Sequence, residues 1–245
     1  MRRVLAVILA SALVLVVAGV LLLTRGDGTA AETPTATHGA IETTPTPEPT
    51  RAPERAGRVP FEDGVIHVEF LGDSLTYGLF ATTEADGYRP RVVAALGQFA
   101  EVESVRWGDP GYTSRMVAEQ ASVSSASDLV VVALGTNDAR RLTLEEFARD
   151  YASLIDEVRS AVPEAVLVCL GVWTTQELAA TSDPVVATPC RANDGIFVPV
   201  ADLYDARGTR GPVGAASFAG VRDDMHPNDE GFAAIAARIE RMLGI

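Results

Sequence analysis

Apolar residues recur along the chain in two patterns. Short, mainly apolar runs at 65–71, 128–134, 165–172 and 196–200, with a briefer one at 102–105, predict buried strands. Between them, 91–96, 114–121, 144–161 and 230–243 carry helical periodicity, and in the last of these Phe232, Ile235, Ile239 and Met242 share one face. Strand and helix alternate, which predicts an α/β domain: a mostly parallel sheet covered on both faces, with ligands bound beyond the carboxyl ends of its strands. Two strands run directly into polar turns at those ends, 65–71 into Gly72-Asp73-Ser74 and 128–134 into Gly135-Thr136-Asn137-Asp138. The stretch from Trp173 to Cys190 reads as a loop wall beside the site, with Trp173 either a sugar-stacking platform or a packed core residue.

The N-terminal pattern is different in kind. Residues 4–23 form a charge-free apolar run of 20 residues, which as a helix reaches about 30 Å, the thickness of a bilayer core. The run exceeds the usual apolar region of a secretory signal and no A-x-A site follows it directly, so 1–28 is expected to be a transmembrane signal-anchor in preference to a cleaved signal peptide. Arg2 and Arg3 precede the run, which favours a cytoplasmic N-terminus with the remainder outside the cytoplasm, and secreted if the segment is cleaved. Residues 29–60, with Pro34, Pro45, Pro47, Pro49 and Pro53 among threonines, are expected to be a disordered tether. That leaves 61–245, roughly 185 residues, as one domain.

Charge and composition narrow the function classes. The formal net charge is −13, from 33 acidic against 20 basic residues, and no cluster of Lys or Arg offers a nucleic-acid footprint. The two cysteines, Cys169 and Cys190, lack the neighbouring ligands of a zinc site, so no metal is expected, and the serine chemistry read below requires no cofactor. In an oxidising compartment the pair can close a loop of about 20 residues, a cross-link rated at ~3 kcal/mol by chain entropy.

Ser74 stands where a strand ends, and a serine hydroxyl needs a base before it becomes a nucleophile. Of three histidines, His38 lies in the tether and His67 inside a strand, which leaves His226 in Asp223-Asp224-Met225-His226-Pro227-Asn228 as the candidate base. Asp223, three residues earlier, has the offset to accept from the imidazole Nδ1–H and is preferred over Asp224. A plainer reading makes His226 a helix-entry residue bonded to a nearby carbonyl, with Asn228 as the cap. For a developing oxyanion, the candidate donors are the backbone N–H groups of Ser74 and Gly111 and the side-chain amide of Asn137.

Taken in order, Gly-Asp-Ser-Leu-Thr at 72–76, the Gly-rich turn ending at Gly111, Gly-Thr-Asn-Asp at 135–138 and Asp-x-x-His at 223–226 resemble the SGNH hydrolases, also called the GDSL family. The resemblance implies a three-layer α/β/α sandwich with a five-stranded parallel sheet, of flavodoxin-like type. It also implies Ser74 as nucleophile, His226 as base, Asp223 as its orienting partner, and an oxyanion hole of Ser74, Gly111 and Asn137. The chain departs from the family at Arg106, where many relatives have asparagine. Arg106, Arg115 and Arg140 are candidates to meet a polar or anionic group of the substrate.

The expected activity is therefore that of an extracytoplasmic serine esterase acting through an acyl-enzyme on a small-molecule, glycan or lipid ester. The same constellation serves an O-acyltransferase if a hydroxyl replaces water, and a fold of this kind that lacked catalysis would serve as a cell-surface binding protein.

Overall fold

The computed structural model describes residues 54–245; the expected anchor, and the tether as far as residue 53, lie outside the described residues. In chain order the elements are β1 (Glu54–Ala56), β2 (Val59–Phe61), β3 (Val65–Gly72), α1 (Ser74–Tyr77), α2 (Tyr88–Leu96), β4 (Glu101–Trp107), α3 (Ser114–Ala118), β5 (Leu129–Ala133) and α4 (Thr136–Arg141). There follow α5 (Leu144–Ala161), β6 (Val166–Leu170), α6 (Gln176–Ala192), β7 (Ile196–Val198), α7 (Ala201–Asp205), β8 (Ala216–Ser217), β9 (Gly220–Val221) and α8 (Asp229–Leu243).

Five strands pair in parallel in the order β4-β3-β5-β6-β7. Every residue of β5 is buried, as the centre of a sheet covered on both faces requires. Its side chains divide by the period of two: Leu129, Val131 and Ala133 join a core with Val92, Leu96, Phe232, Ile235 and Ile239 of α2 and α8. Val130 and Val132 join the opposite core with Phe147, Tyr151, Leu154, Ile155 and Val158 of α5. The result is a three-layer α/β/α sandwich with a five-stranded parallel sheet, as the resemblance implies. The chain goes from β3 outward to β4 and then crosses back to β5, so connections diverge between β3 and β5. The crevice at such a switch point is where an open α/β sheet binds its ligands.

Helix α5 matches the sequence pattern residue for residue. Thr143 accepts from the Glu146 N–H while the Glu146 carboxylate accepts from the Thr143 N–H, a capping box worth about 1 kcal/mol. Elsewhere α2 begins three residues before the predicted 91–96, and α3 stops at Ala118.

Two expectations are corrected. The stretch expected to be a loop wall forms α6, whose Pro184 and Pro189 lie inside the helix. Proline interrupts the hydrogen-bond ladder, but Val186, Ala187 and Cys190 are buried against the sheet and a disulfide between Cys169 and Cys190 joins α6 to β6, with Cα atoms 6.3 Å apart. Packing and the cross-link thus override the local signal. Residues 54–60, assigned by composition to the tether, form most of the β1–β2 hairpin, in which Ala56 and Val59 are fully buried. Its attachment is tertiary: Arg58 N–H donates to the Leu243 carbonyl at 2.8 Å.

Candidate active site

Strand β3 ends at Gly72, Asp73 caps the short α1, and Ser74 is the first residue of that helix. The loop after β4 passes directly over this turn. A Cβ at Gly108, whose φ is +96°, would lie 2.0 Å from the Gly72 carbonyl oxygen, so the approach is open to glycine alone. Ser74 is 5 % exposed, at the carboxyl edge of the sheet.

His226 comes from the loop that precedes α8. Its Nε2 is 3.0 Å from Ser74 Oγ and its Nδ1 is 2.7 Å from Asp223 Oδ2. The other Asp223 oxygen accepts from the backbone N–H groups of His226, at 2.8 Å, and Met225, at 3.0 Å. Burial opposes ionisation of Asp223, but these bonds and the imidazole outweigh it and hold the carboxyl below its ordinary range. Asp224 is exposed and reaches none of these atoms; its carbonyl accepts from Arg210. Asn228 does cap α8, its Oδ1 accepting from the Gly231 N–H at 3.0 Å, while the His226 ring faces Ser74 and Asp223. The helix-entry reading is thus correct for Asn228 and does not account for the histidine. His67 lies in β3 near Asp128 and Glu103, and His38 is outside the described residues.

The three candidate oxyanion donors follow three neighbouring strands: Ser74 opens α1 after β3, Gly111 lies in the loop after β4, and Asn137 is in α4 after β5. Among the described residues, the N–H groups of Ser74 and Gly111 donate to no protein acceptor. Gly111, with φ +90°, is the third residue of a turn closed by Tyr112 N–H to the Asp109 carbonyl at 3.0 Å. The Asn137 amide is fully engaged, donating to Asp73 Oδ2 and to the Tyr112 carbonyl, each at 3.0 Å. These bonds hold Asn137 beside both the serine turn and the Gly111 turn.

Asp73, Asp138 and Phe80 were not singled out by the sequence as site residues. Asp73 is 1 % exposed, and burial pushes its carboxyl up to about 7; the Leu75 N–H opposes that rise, Asp138 adds to it and the Asn137 amide again opposes it. Asp138 accepts from the Ser114 N–H and is itself pushed up by burial. The only sequence signal for these two was an acid inside each polar turn. Trp173 is 1 % exposed, which settles it as a core residue and not a stacking platform, and its indole N–H donates to the Met225 carbonyl. Phe80 meets the His226 ring edge-on, with centroids 5.0 Å apart.

The candidate arginines separate. Arg106 bonds the Gly108 carbonyl, pairs with Asp109 and lies over the Tyr77 ring, so it shapes its own loop. Arg115 pairs with Glu119. Arg140 has no ion pair among the described residues and borders a cavity of about 370 Å³ whose walls include Leu142, Leu144, Phe147, Leu178 and Met225. The cavity touches Thr136 and Met225, the sequence neighbours of Asn137 and His226, but not Ser74, His226 or Asp223. Among the described residues no cluster of His, Cys, Asp or Glu has the arrangement to hold a metal ion.

The family of GDSL-like lipases and acylhydrolases matches residues 70–234. Among solved structures, the chain is similar to a family 3 carbohydrate esterase of Clostridium thermocellum, with TM-score 0.57, 18% identity, and 72% of this chain and 94% of that one covered. An acetyl xylan esterase from Geobacillus stearothermophilus gives TM-score 0.57 and 21% identity over 73% of this chain and 94% of that one. A lipase/acylhydrolase from Enterococcus faecalis gives TM-score 0.56 and 20% identity over 73% and 96%. No curated protein is matched by sequence.

Proposed function

Since the chain belongs to the GDSL-like lipase/acylhydrolase family and is a serine ester hydrolase, we propose that Ser74, His226 and Asp223 are its catalytic triad and that Ser74, Gly111 and Asn137 supply its oxyanion hole. The observation that carries this reading is the continuous line of contacts from Ser74 Oγ through His226 to Asp223, at 3.0 and 2.7 Å.

In the proposed reaction, neutral His226 takes the Ser74 proton on Nε2 as Oγ attacks the ester carbonyl. Asp223, ionised, accepts from Nδ1–H and stabilises the imidazolium. The carbonyl oxygen becomes an oxyanion that receives hydrogen bonds from Ser74 N–H, Gly111 N–H and Asn137. Collapse expels the alcohol, which takes the proton from His226 and leaves Ser74 acylated. Water, deprotonated by the same imidazole, then releases the acid and restores the serine.

For substrate, we favour an acyl or acetyl ester carried by a cell-envelope carbohydrate or glycolipid. The partly apolar cavity beside the site supports room for an acyl group, and the names of two structural relatives, a carbohydrate esterase and an acetyl xylan esterase, support a carbohydrate ester. An extracytoplasmic setting is supported by the charge-free run at 4–23 and agrees with the disulfide.

The test is a p-nitrophenyl ester series from acetate to decanoate with the purified protein and its Ser74→Ala variant. Turnover by the parent, lost in the variant, is expected, and the preferred chain length reports which acyl group fits. Turnover that survives Ser74→Ala would remove the serine from the mechanism, whereas products that appear only with an added alcohol would identify a transferase.

A further inference from the structure

Helix α4 grips the segment after β4 at three places, two in the loop and one at the first residue of α3. The Asp138 carboxylate accepts from the Ser114 N–H at 2.9 Å. The Asn137 amide donates to the Tyr112 carbonyl at 3.0 Å. Arg141, the last residue of α4, donates from Nη1 to the Gly111 carbonyl at 2.6 Å. Arg141 is exposed and has no carboxylate partner among the described residues, so no ion pair competes with its bond to this carbonyl. One helix of six residues therefore carries a candidate oxyanion donor, Asn137, together with two of the fastenings that fix the loop bearing another, Gly111.

The three grips do not share the same fate during a reaction. An oxyanion that draws a hydrogen from Asn137 must take it from Asp73 or from Tyr112, because both amide hydrogens are already in use. Taking it from Asp73 would leave a fully buried acceptor short of a donor, which costs more than depriving the carbonyl of the half-buried Tyr112, where water can take the place of the amide. The Tyr112 contact is thus the one released, and the loop loses its middle fastening at the moment Gly111 must not move. The adjacent fastening is Arg141.

We propose that Arg141 is a positioning residue of the oxyanion hole: by holding the Gly111 carbonyl it fixes the Gly111 N–H relative to Asn137, and its grip matters most in the transition state. This rests on the assignment of Gly111 and Asn137 as oxyanion donors. A residue of this kind affects the chemical step more than binding, since a displaced donor loses its aim at the oxyanion while the ester itself still fits.

The test uses the full chain, p-nitrophenyl butyrate as substrate, and an alkylboronic acid as a reversible tetrahedral analogue, with Arg141→Ala, Arg141→Lys and Arg141→Gln beside Asn137→Ala. Arg141→Ala is expected to lower kcat by about tenfold or more with KM within about threefold. Its affinity for the boronic acid should fall by a factor similar to that in kcat/KM. Lysine, which keeps one charged donor within reach, should restore most of the loss, and glutamine less. If the alanine variant does not fold, the order Arg, Lys, Gln in kcat carries the same test. Unchanged kcat and boronate affinity, or a change in KM alone, would overturn the proposal while a large loss in Asn137→Ala left the oxyanion assignment standing. Wild-type turnover by Asn137→Ala would overturn both.

Discussion

The indole N–H of Trp173 donates to the carbonyl oxygen of Met225 at 2.8 Å, which ties the loop after β6 to the residue immediately before His226. The bond crosses from the sheet to the histidine loop, so the imidazole is held from its own backbone as well as through Asp223.

Replacing Trp173 by Phe should keep most of the buried ring while removing that donor. The expected result is a loss of stability of about 1 kcal/mol and a several-fold lower kcat with little change in KM. Thermal unfolding and steady-state kinetics on the same preparation check it, and an unchanged kcat would mean that the contact only stabilises the fold.

The two neighbouring acids should behave very differently. Asp223→Asn is expected to lower kcat by roughly three orders of magnitude, because an amide can neither select the imidazole tautomer nor stabilise its positive charge. Asp224→Asn, which alters an exposed side chain outside the line of contacts, should stay within about twofold of the parent. Equal losses in both would remove the distinction between them.

What the sequence revealed followed from how local each signal was. Strands β3 and β5 and helix α5 were legible because burial writes itself into short apolar runs or a helical stripe, and the Thr143 cap marks where the stripe starts. Helix α6 was not, since Pro184 and Pro189 argue locally against a helix that tertiary packing and the disulfide nevertheless hold. The β1–β2 hairpin was hidden for a related reason: its backbone is fastened to Leu243, almost two hundred residues away. At the site, the identities of Ser74, Asn137, Asp223 and His226 lay in short motifs, but the Trp173–Met225 and Arg141–Gly111 contacts join distant segments through backbone carbonyls, which leave no mark on composition.

The buried Asp73 gives stability a pH dependence opposite to that of a salt-bridged acid. Folded, it keeps its proton up to about 7; unfolded, it releases the proton near its ordinary 3.8. Between these values the folded chain binds the extra proton, so stability is greatest on the acid side of the window and declines as pH rises toward 7. Asp138 and Asp183, also pushed up by burial, act in the same direction, whereas Asp223 and Asp229 contribute stability that is lost only as pH falls below the ordinary carboxylate range. Asp73→Asn should flatten the slope of melting temperature against pH between about pH 4.5 and about pH 7. An unaltered slope would show that Asp73 ionises normally in the fold.

Reduction should be costly but not fatal. The Cys169–Cys190 bond spans 21 residues, for which chain entropy gives about 3 kcal/mol, or a melting temperature lower by roughly 6–12 °C when both cysteines are replaced by alanine. Calorimetry of that double variant tests the figure, and esterase activity at low temperature should survive, because neither cysteine touches Ser74, His226 or Asp223.

The fastening of Arg58 to Leu243 brings the beginning and the end of the domain together, and Gly57 comes so close that a Cβ there would lie 2.3 Å from the Leu243 oxygen. Both ends therefore leave from the amino side of the sheet, whereas Ser74 opens on its carboxyl side. A passenger domain or a support joined directly at Glu54 or at Ile245 trails behind the face that carries Ser74, so the domain can be held at either end with the approach to the proposed nucleophile left clear.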